Sequence, residues 1–186
     1  MKLKEMKRIV LALIEELNED SEYLTDDPDI QGKICDVINM VQLELSRFKK
    51  IIAHMSKEIL KNEVFDLKSI ERFYQLRLMK FASASGELDA YELIDNLVVF
   101  KDDGIAEIFY YKFPTEINNE TSDDYEFELP SDVLSIMPYG VAGDLLKSDI
   151  SANYGQVYSS RYESMLQRLD PRHSMGTISI EGGVNI

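Results

Sequence analysis

The chain has 186 residues, with 34 acidic against 20 basic side chains and a formal net charge of −14. Its 45% hydrophobic and 29% charged content is that of an ordinary folded protein and not a disordered one, and its length favours a single domain. So negative a balance argues against a surface built to grip phosphate backbones or anionic membranes.

The single cysteine, Cys35, cannot form an internal disulfide, so no secreted disulfide framework is indicated. Leu11 to Leu17 is too short and too charged to span a bilayer. Glu5, Glu15 and Glu16 interrupt any signal-peptide core. A soluble, cytoplasm-made chain is the expectation.

In chain order, Leu3, Met6, Ile9, Val10, Leu13, Ile14 and Leu17 fall at helical spacings and predict an amphipathic first helix of about four turns. An acidic link follows, Glu19 to Asp29, with six carboxylates. It lacks the glycine and the oxygen spacing of a calcium loop, so capping and solvation are its expected roles. Asp27 before Pro28 is a helix start, because the carboxylate accepts orphan amide bonds and proline fits the first turn. Ile30, Ile34, Val37, Ile38, Val41, Leu45, Phe48 and Ile52 make the stripe of the second helix.

From Ser56 the pattern turns to short runs rich in β-branched and aromatic residues, at 57–67, 76–83, 91–94, 97–100 and 105–113. Asp103-Gly104, within Phe100 to Ile105, reads as a hairpin turn needing positive φ. Ile105 to Phe113 is apolar on both faces, with Phe109, Tyr111 and Phe113 alternating against Ile108 and Tyr110, which suggests a central strand. Pro114 ends it. Thr115 to Asp132 then holds seven acids and no base, which reads as a solvated loop or a negatively charged surface in an assembly.

The C-terminal part carries two helical patterns. Ser131 is the expected N-cap of the first, whose apolar face is Val133, Leu134, Met137, Val141, Leu145 and Leu146. Pro138 is expected to kink it, and Gly140 and Gly143 to let another backbone approach. Asp149 or Ser151 is the expected cap of the second pattern, along which Tyr154, Tyr158 and Tyr162 form an aromatic stripe. The stripe is either core or interface. The tail alternates Ile178, Ile180, Val184 and Ile186 around Gly182-Gly183, a strand too short for a core of its own.

The fold class expected is α+β: a mainly helical bundle, two N-terminal and two C-terminal helices, with a β-rich insertion in the middle. As one domain it divides into a helical hairpin at 1–55, the insertion at 56–115, the acidic loop at 116–130, the helix pair at 131–170 and the tail at 171–186. No catalytic, metal or cofactor residues are expected. His54 and His173 lack metal-ligand spacing, no phosphate-binding or nucleophile motif occurs, and Cys35 sits in an apolar helical stretch.

Two segments, Ile136 to Asp149 (IMPYGVAGDLLKSD) and Asn153 to Asp170 (NYG running on to RYESMLQRLD), resemble the C-terminal part of head-tail connector (adaptor) proteins of tailed bacteriophages and prophages of Gram-positive hosts. The opening around Glu22 to Asp29, the strand end Tyr110 to Pro114 and Ile180 to Val184 fit that family too. The resemblance implies a virion protein at the head-tail junction whose copies, commonly twelve, ring the DNA channel beneath the portal. Implied partners are further copies of the chain, the portal, a downstream head-closure or tail protein, and passing DNA without specific binding. On this basis Tyr154, Tyr158, Tyr162, Ile178, Ile180, Val184 and Ile186 are candidate interface residues. Glu120, Asp123, Asp124, Glu126 and Glu128 are candidate channel-lining acids. The alternatives are another phage neck or tail-assembly protein, or a small acidic binding protein that mimics DNA.

Overall fold

The computed structural model describes residues 1–86, 90–148 and 153–169. Helix α1 spans Leu3–Leu13 and buries Leu3, Met6, Val10 and Leu11. It stops before Leu17 because Ile14 leaves helical geometry and Glu15 takes a left-handed φ of 63°. Helix α2 spans Pro28–Phe48. The Asp27 carboxylate accepts from the amides of Asp29 (2.8 Å) and Ile30 (3.3 Å), so the cap expected from Asp27-Pro28 forms.

The second helix is shorter than its apolar stripe. Ile51 and Ile52 open strand β1 (Ile51–Ile59), which is followed by β2 (Val64–Asp66), β3 (Phe73–Ser83), β4 (Tyr91–Ile94), β5 (Leu97–Phe100) and β6 (Gly104–Lys112). One antiparallel sheet has the order β1-β6-β3, with β6 central as its two-sided pattern suggests; the other has the order β2-β5-β4. They enclose a core of Ile59, Leu67, Met79, Val98, Phe100, Ala106, Ile108 and Tyr110.

The turn at 100–105 is not a hairpin. β5 pairs with β2 and β4, whereas β6 pairs with β1 and β3, so Lys101 to Asp103 carry the chain from one sheet to the other. Gly104 has no positive φ. A Cβ there would lie 2.2 Å from the Ala82 carbonyl oxygen, so glycine is needed for close strand approach. The two-residue hairpin is at Asp95-Asn96, where Asp95 supplies the positive φ of 55°.

After the acidic segment come α3 (Ser131–Leu134), α4 (Met137–Leu145) and α5 (Tyr154–Leu169). Pro138 does not kink a long helix. The first pattern breaks at Ser135 and Ile136, and Pro138 sits in the opening turn of α4, where its missing amide costs nothing. Pro130, not Ser131, occupies the N-cap of α3.

A mainly helical bundle with two paired N-terminal helices is not what forms. The close helix–helix approaches are those of α4 with α1, α2 and α5, so α1 and α2 both pack on α4 instead of making a hairpin at 1–55. The cause is the composition of α4, which is small and apolar all round. Met137, Pro138, Gly140, Val141, Ala142 and Gly143 are all buried, and such a helix becomes a hub. A Cβ on Gly140 would meet the Tyr162 ring at 2.9 Å, and one on Gly143 the Ser159 hydroxyl at 2.6 Å. Beside this helical core stand the two sheets, which form the expected β-rich middle of the chain and have a smaller core of their own.

Candidate functional site

The acidic segment joins the two cores. Its Ile117, Phe127 and Leu129 are buried against the helices. Asn39 on α2 donates to the Ile117 carbonyl (2.7 Å) and accepts from its amide (2.9 Å), while buried Gln42 donates to the Thr115 carbonyl (2.8 Å). Glu128 is the hinge pin. It accepts from Arg72 (3.0 Å), from the amide and hydroxyl of Thr115 (both 3.1 Å), and from Lys112. Burial alone pushes its carboxyl upward, but Lys112, the Thr115 amide and Arg72 outweigh it and hold the group below the usual carboxylate range. Arg72 itself sits at a left-handed φ of 57°, a conformation that this carboxylate helps to hold.

The five candidate channel acids thus divide. Asp124 pairs with Lys2 (2.8 Å) and Asp123 with Lys7 (3.8 Å), and Glu128 is built into the junction. Glu120 and Glu126 are exposed, and Glu126 lies in an isolated bridge opposite Lys2. The tyrosine stripe divides too. Tyr162 is a core residue whose hydroxyl donates to Glu44 (3.0 Å), and burial with that neighbouring carboxylate pushes its phenol far up. Tyr158 donates to the Leu13 carbonyl and lies against Tyr139, while Tyr154 is 63% exposed. Ile178, Ile180, Val184 and Ile186, like His173 and the caps Asp149 and Ser151, lie outside the described residues.

A further surface is the outer face of the β1-β6-β3 sheet. Strand alternation sends odd-numbered residues of β1 and even-numbered residues of β6 inward. The register then lines up four outward rows: Ile52–Tyr111–Gln75, His54–Phe109–Leu78, Ser56–Glu107–Lys80 and Glu58–Ile105–Ala82. Ile52 is 52% and Leu78 48% exposed, on the two edge strands that flank β6. His54 stacks on Phe109 at 4.5 Å, Tyr74 leans on Phe113 at 5.0 Å, and the Lys50 ammonium lies 4.6 Å from the Tyr111 ring centre. No helix or strand of the described residues covers this face.

No family model matches this sequence, and no curated protein matches it at a significant level.

Glu107 accepts from Ser56 (2.7 Å) and bonds the His54 ring, and these partners hold its carboxyl below the usual range. In a hydrolytic triad the imidazole stands between hydroxyl and carboxylate; here the carboxylate stands between the other two, so Ser56 has no base to activate it. Cys35 is buried in α2, and burial raises its thiol, which makes it a poor nucleophile. Among the described residues no cluster of three or more His, Cys, Asp or Glu side chains is placed to hold a metal ion. No described helix is long and apolar enough to cross a membrane.

The alternation of Phe109, Tyr111 and Phe113 against Ile108 and Tyr110 is visible in the sequence as a two-faced strand. It does not disclose that the second face lacks a covering layer. Nothing local in sequence brings Ile52, Leu78 and Tyr74 beside it, because β1 and β3 reach β6 from opposite sides.

Proposed function

We propose that this chain is a structural virion protein, a head-tail connector whose copies ring the DNA channel beneath a phage portal and join head to tail. The observation that carries the reading is the uncovered aromatic and aliphatic face of the β1-β6-β3 sheet. Exposed apolar side chains gathered on one face of a sheet are what a subunit of a larger assembly keeps for its neighbours. The connector-like segments at 136–149 and 153–170 support it. Within them α4 and α5 pack together, with glycines at the closest approaches.

The ring would sit in the virion neck, with the portal on one side, a head-closure or tail protein on the other, and DNA passing without specific contacts. An acidic wall repels phosphates and lets DNA slide. Glu120 and Glu126 are the candidate acids free for this, since Asp123, Asp124 and Glu128 engage cations of the chain itself. Ile178, Ile180, Val184 and Ile186 of the tail would dock on a neighbouring subunit or the portal. Tyr154 is the member of its stripe free for a partner, while Tyr162 serves the core.

Size exclusion with light scattering tests this on the full chain, alone and mixed with the portal protein encoded beside it. A high-mass ring, or co-elution with the portal, is expected. A 21.4 kDa monomer that ignores the portal would overturn the proposal.

A further inference from the structure

The edges of the two sheets differ in how they are protected. β2 and β4, the edges of one sheet, are only three and four residues long. β3 is long, but its register with β6 breaks twice, between Phe73 and Gln75 and between Leu76 and Leu78. Short strands and bulges keep an edge from recruiting another strand. β1 has neither protection. Its nine residues pair with β6 in unbroken register, and no described strand lies on its other side. Ile51 to Ser56 also contain no proline and no Asp, Glu, Lys or Arg to turn a newcomer away.

The layer behind this edge is unfinished. Inward-facing Ile51 and Ile59, at the ends of β1, are buried, whereas Ala53 and Met55 between them are only half-buried. An added strand with apolar residues two apart would close over this pair. The chain holds such a segment outside the described residues. Thr177-Ile178-Ser179-Ile180 alternates isoleucines with hydroxyl side chains, at the spacing of Ala53 and Met55. It is also placed to reach. Tyr154 shares a groove with Asp27 and Ile30 at the start of α2, and Tyr162 bonds Glu44 toward its end. Helix α5 therefore runs in the direction of α2 and carries Leu169 about 10 Å beyond Tyr162, toward the sheets. From there Asp170 to Gly176 extend over about 25 Å, enough to cross to a copy in contact.

We propose that Thr177 to Ile180 of one copy adds as a strand to the β1 edge, Ile51 to Ser56, of the next copy. Ile178 and Ile180 then cover Ala53 and Met55. Backbone bonds supply the affinity, and the two isoleucines set the register. The inference rests on the ring reading above and names the contact that links its copies. A copy that paired its own tail would close its own edge and leave no link to a neighbour. Tail and edge are different surfaces of one chain, so the contact is head to tail and repeats until the ring closes.

Disulfide trapping tests it. In this pairing Ser179 and His54 face outward side by side, within reach of a disulfide. One full-length variant carries His54→Cys, a second Ser179→Cys and a third both. His54 is exposed, and thermal melts followed by circular dichroism check that each variant keeps the fold. Cys35 is buried and stays out of the reaction. The variants are oxidised alone and on the portal, and non-reducing gels read the links. The two single variants mixed are expected to give a linked dimer, and the double variant a ladder of linked copies. Neither single variant should link by itself. A fourth variant, Ile178→Asp with Ile180→Asp, should melt as the native chain does when monomeric. Its association should be weakened about 100-fold or more, since two buried isoleucines are lost.

The inference is overturned by mixed single variants that link neither alone nor on the portal, or by a double variant that links only within single chains. Assembly of the fourth variant at native strength overturns it too. The function reading fails separately. Linked ladders without any portal binding leave this contact standing and remove the connector. Portal-bound rings whose copies do not link do the opposite.

Discussion

Glu128 lies in a run of seven acids that reads as solvated loop, yet its carboxylate accepts from Arg72, Lys112 and Thr115 and ties the helical core to the sheets. Replacing it with glutamine removes charge-assisted bonds to groups that stay half-buried, and should cost about 2 kcal/mol in urea unfolding at pH 7. The sign with pH follows from its lowered carboxyl. Its stabilisation is present above the ordinary value of 4.5 and is lost as pH falls through the folded value. The gap between native chain and Glu128→Gln should therefore close on acidification below that value, and a gap that persists at low pH would contradict the role. No local pattern could have singled out Glu128 among its neighbours. Lys112 and Arg72 stand 16 and 56 residues away, so the pairing exists only once β6 and β3 are in place. Asp27, by contrast, was legible, because a helix cap and its amides are adjacent in sequence. Asp27→Ala should lower stability by about 1 kcal/mol, read as a shift in the unfolding midpoint without change in slope.

At the scale of elements, α4 is the hub, and its glycines set how near α5 can come. Gly143→Ala places a methyl 2.6 Å from the Ser159 hydroxyl and 3.1 Å from its amide nitrogen, and should destabilise by about 1–3 kcal/mol. Gly32, exposed within α2 with open space where a methyl would sit, is the control: Gly32→Ala should stabilise by about 0.5–1 kcal/mol. Equal effects at the two sites would show that helix propensity, not close approach, governs Gly143. The spacing of Gly140 and Gly143 makes the close approach readable from sequence. The break between α3 and α4 is not, because Pro138 fits either a kink or a first turn and the choice depends on what packs around Ile136. Likewise β4 and β5 are readable run by run, but their partners are not. Asp-Gly at 103–104 looks like a hairpin, whereas Asp102 takes the Ser83 hydroxyl and the Ser85 amide, and Asp103 takes the Lys61 amide at 2.8 Å. Those bonds anchor a crossing between sheets.

The whole molecule has two cores, a hub of helices and a pair of small sheets, held by the 115–129 segment. A helical bundle with paired N-terminal helices around a β-rich middle follows from counting periodic segments; the strand-rich middle is there, but the bundle fails because periodicity says nothing of which helix the others choose. The same limit hides the open sheet face, whose rows combine β1, β6 and β3. The most direct measurement is electron cryo-microscopy of the full chain bound to its portal. The expected image is a closed ring on the portal in which each β1-β6-β3 face is covered by the next copy. Discrete single copies on the portal, or a ring that leaves this face bare toward solvent, would contradict it.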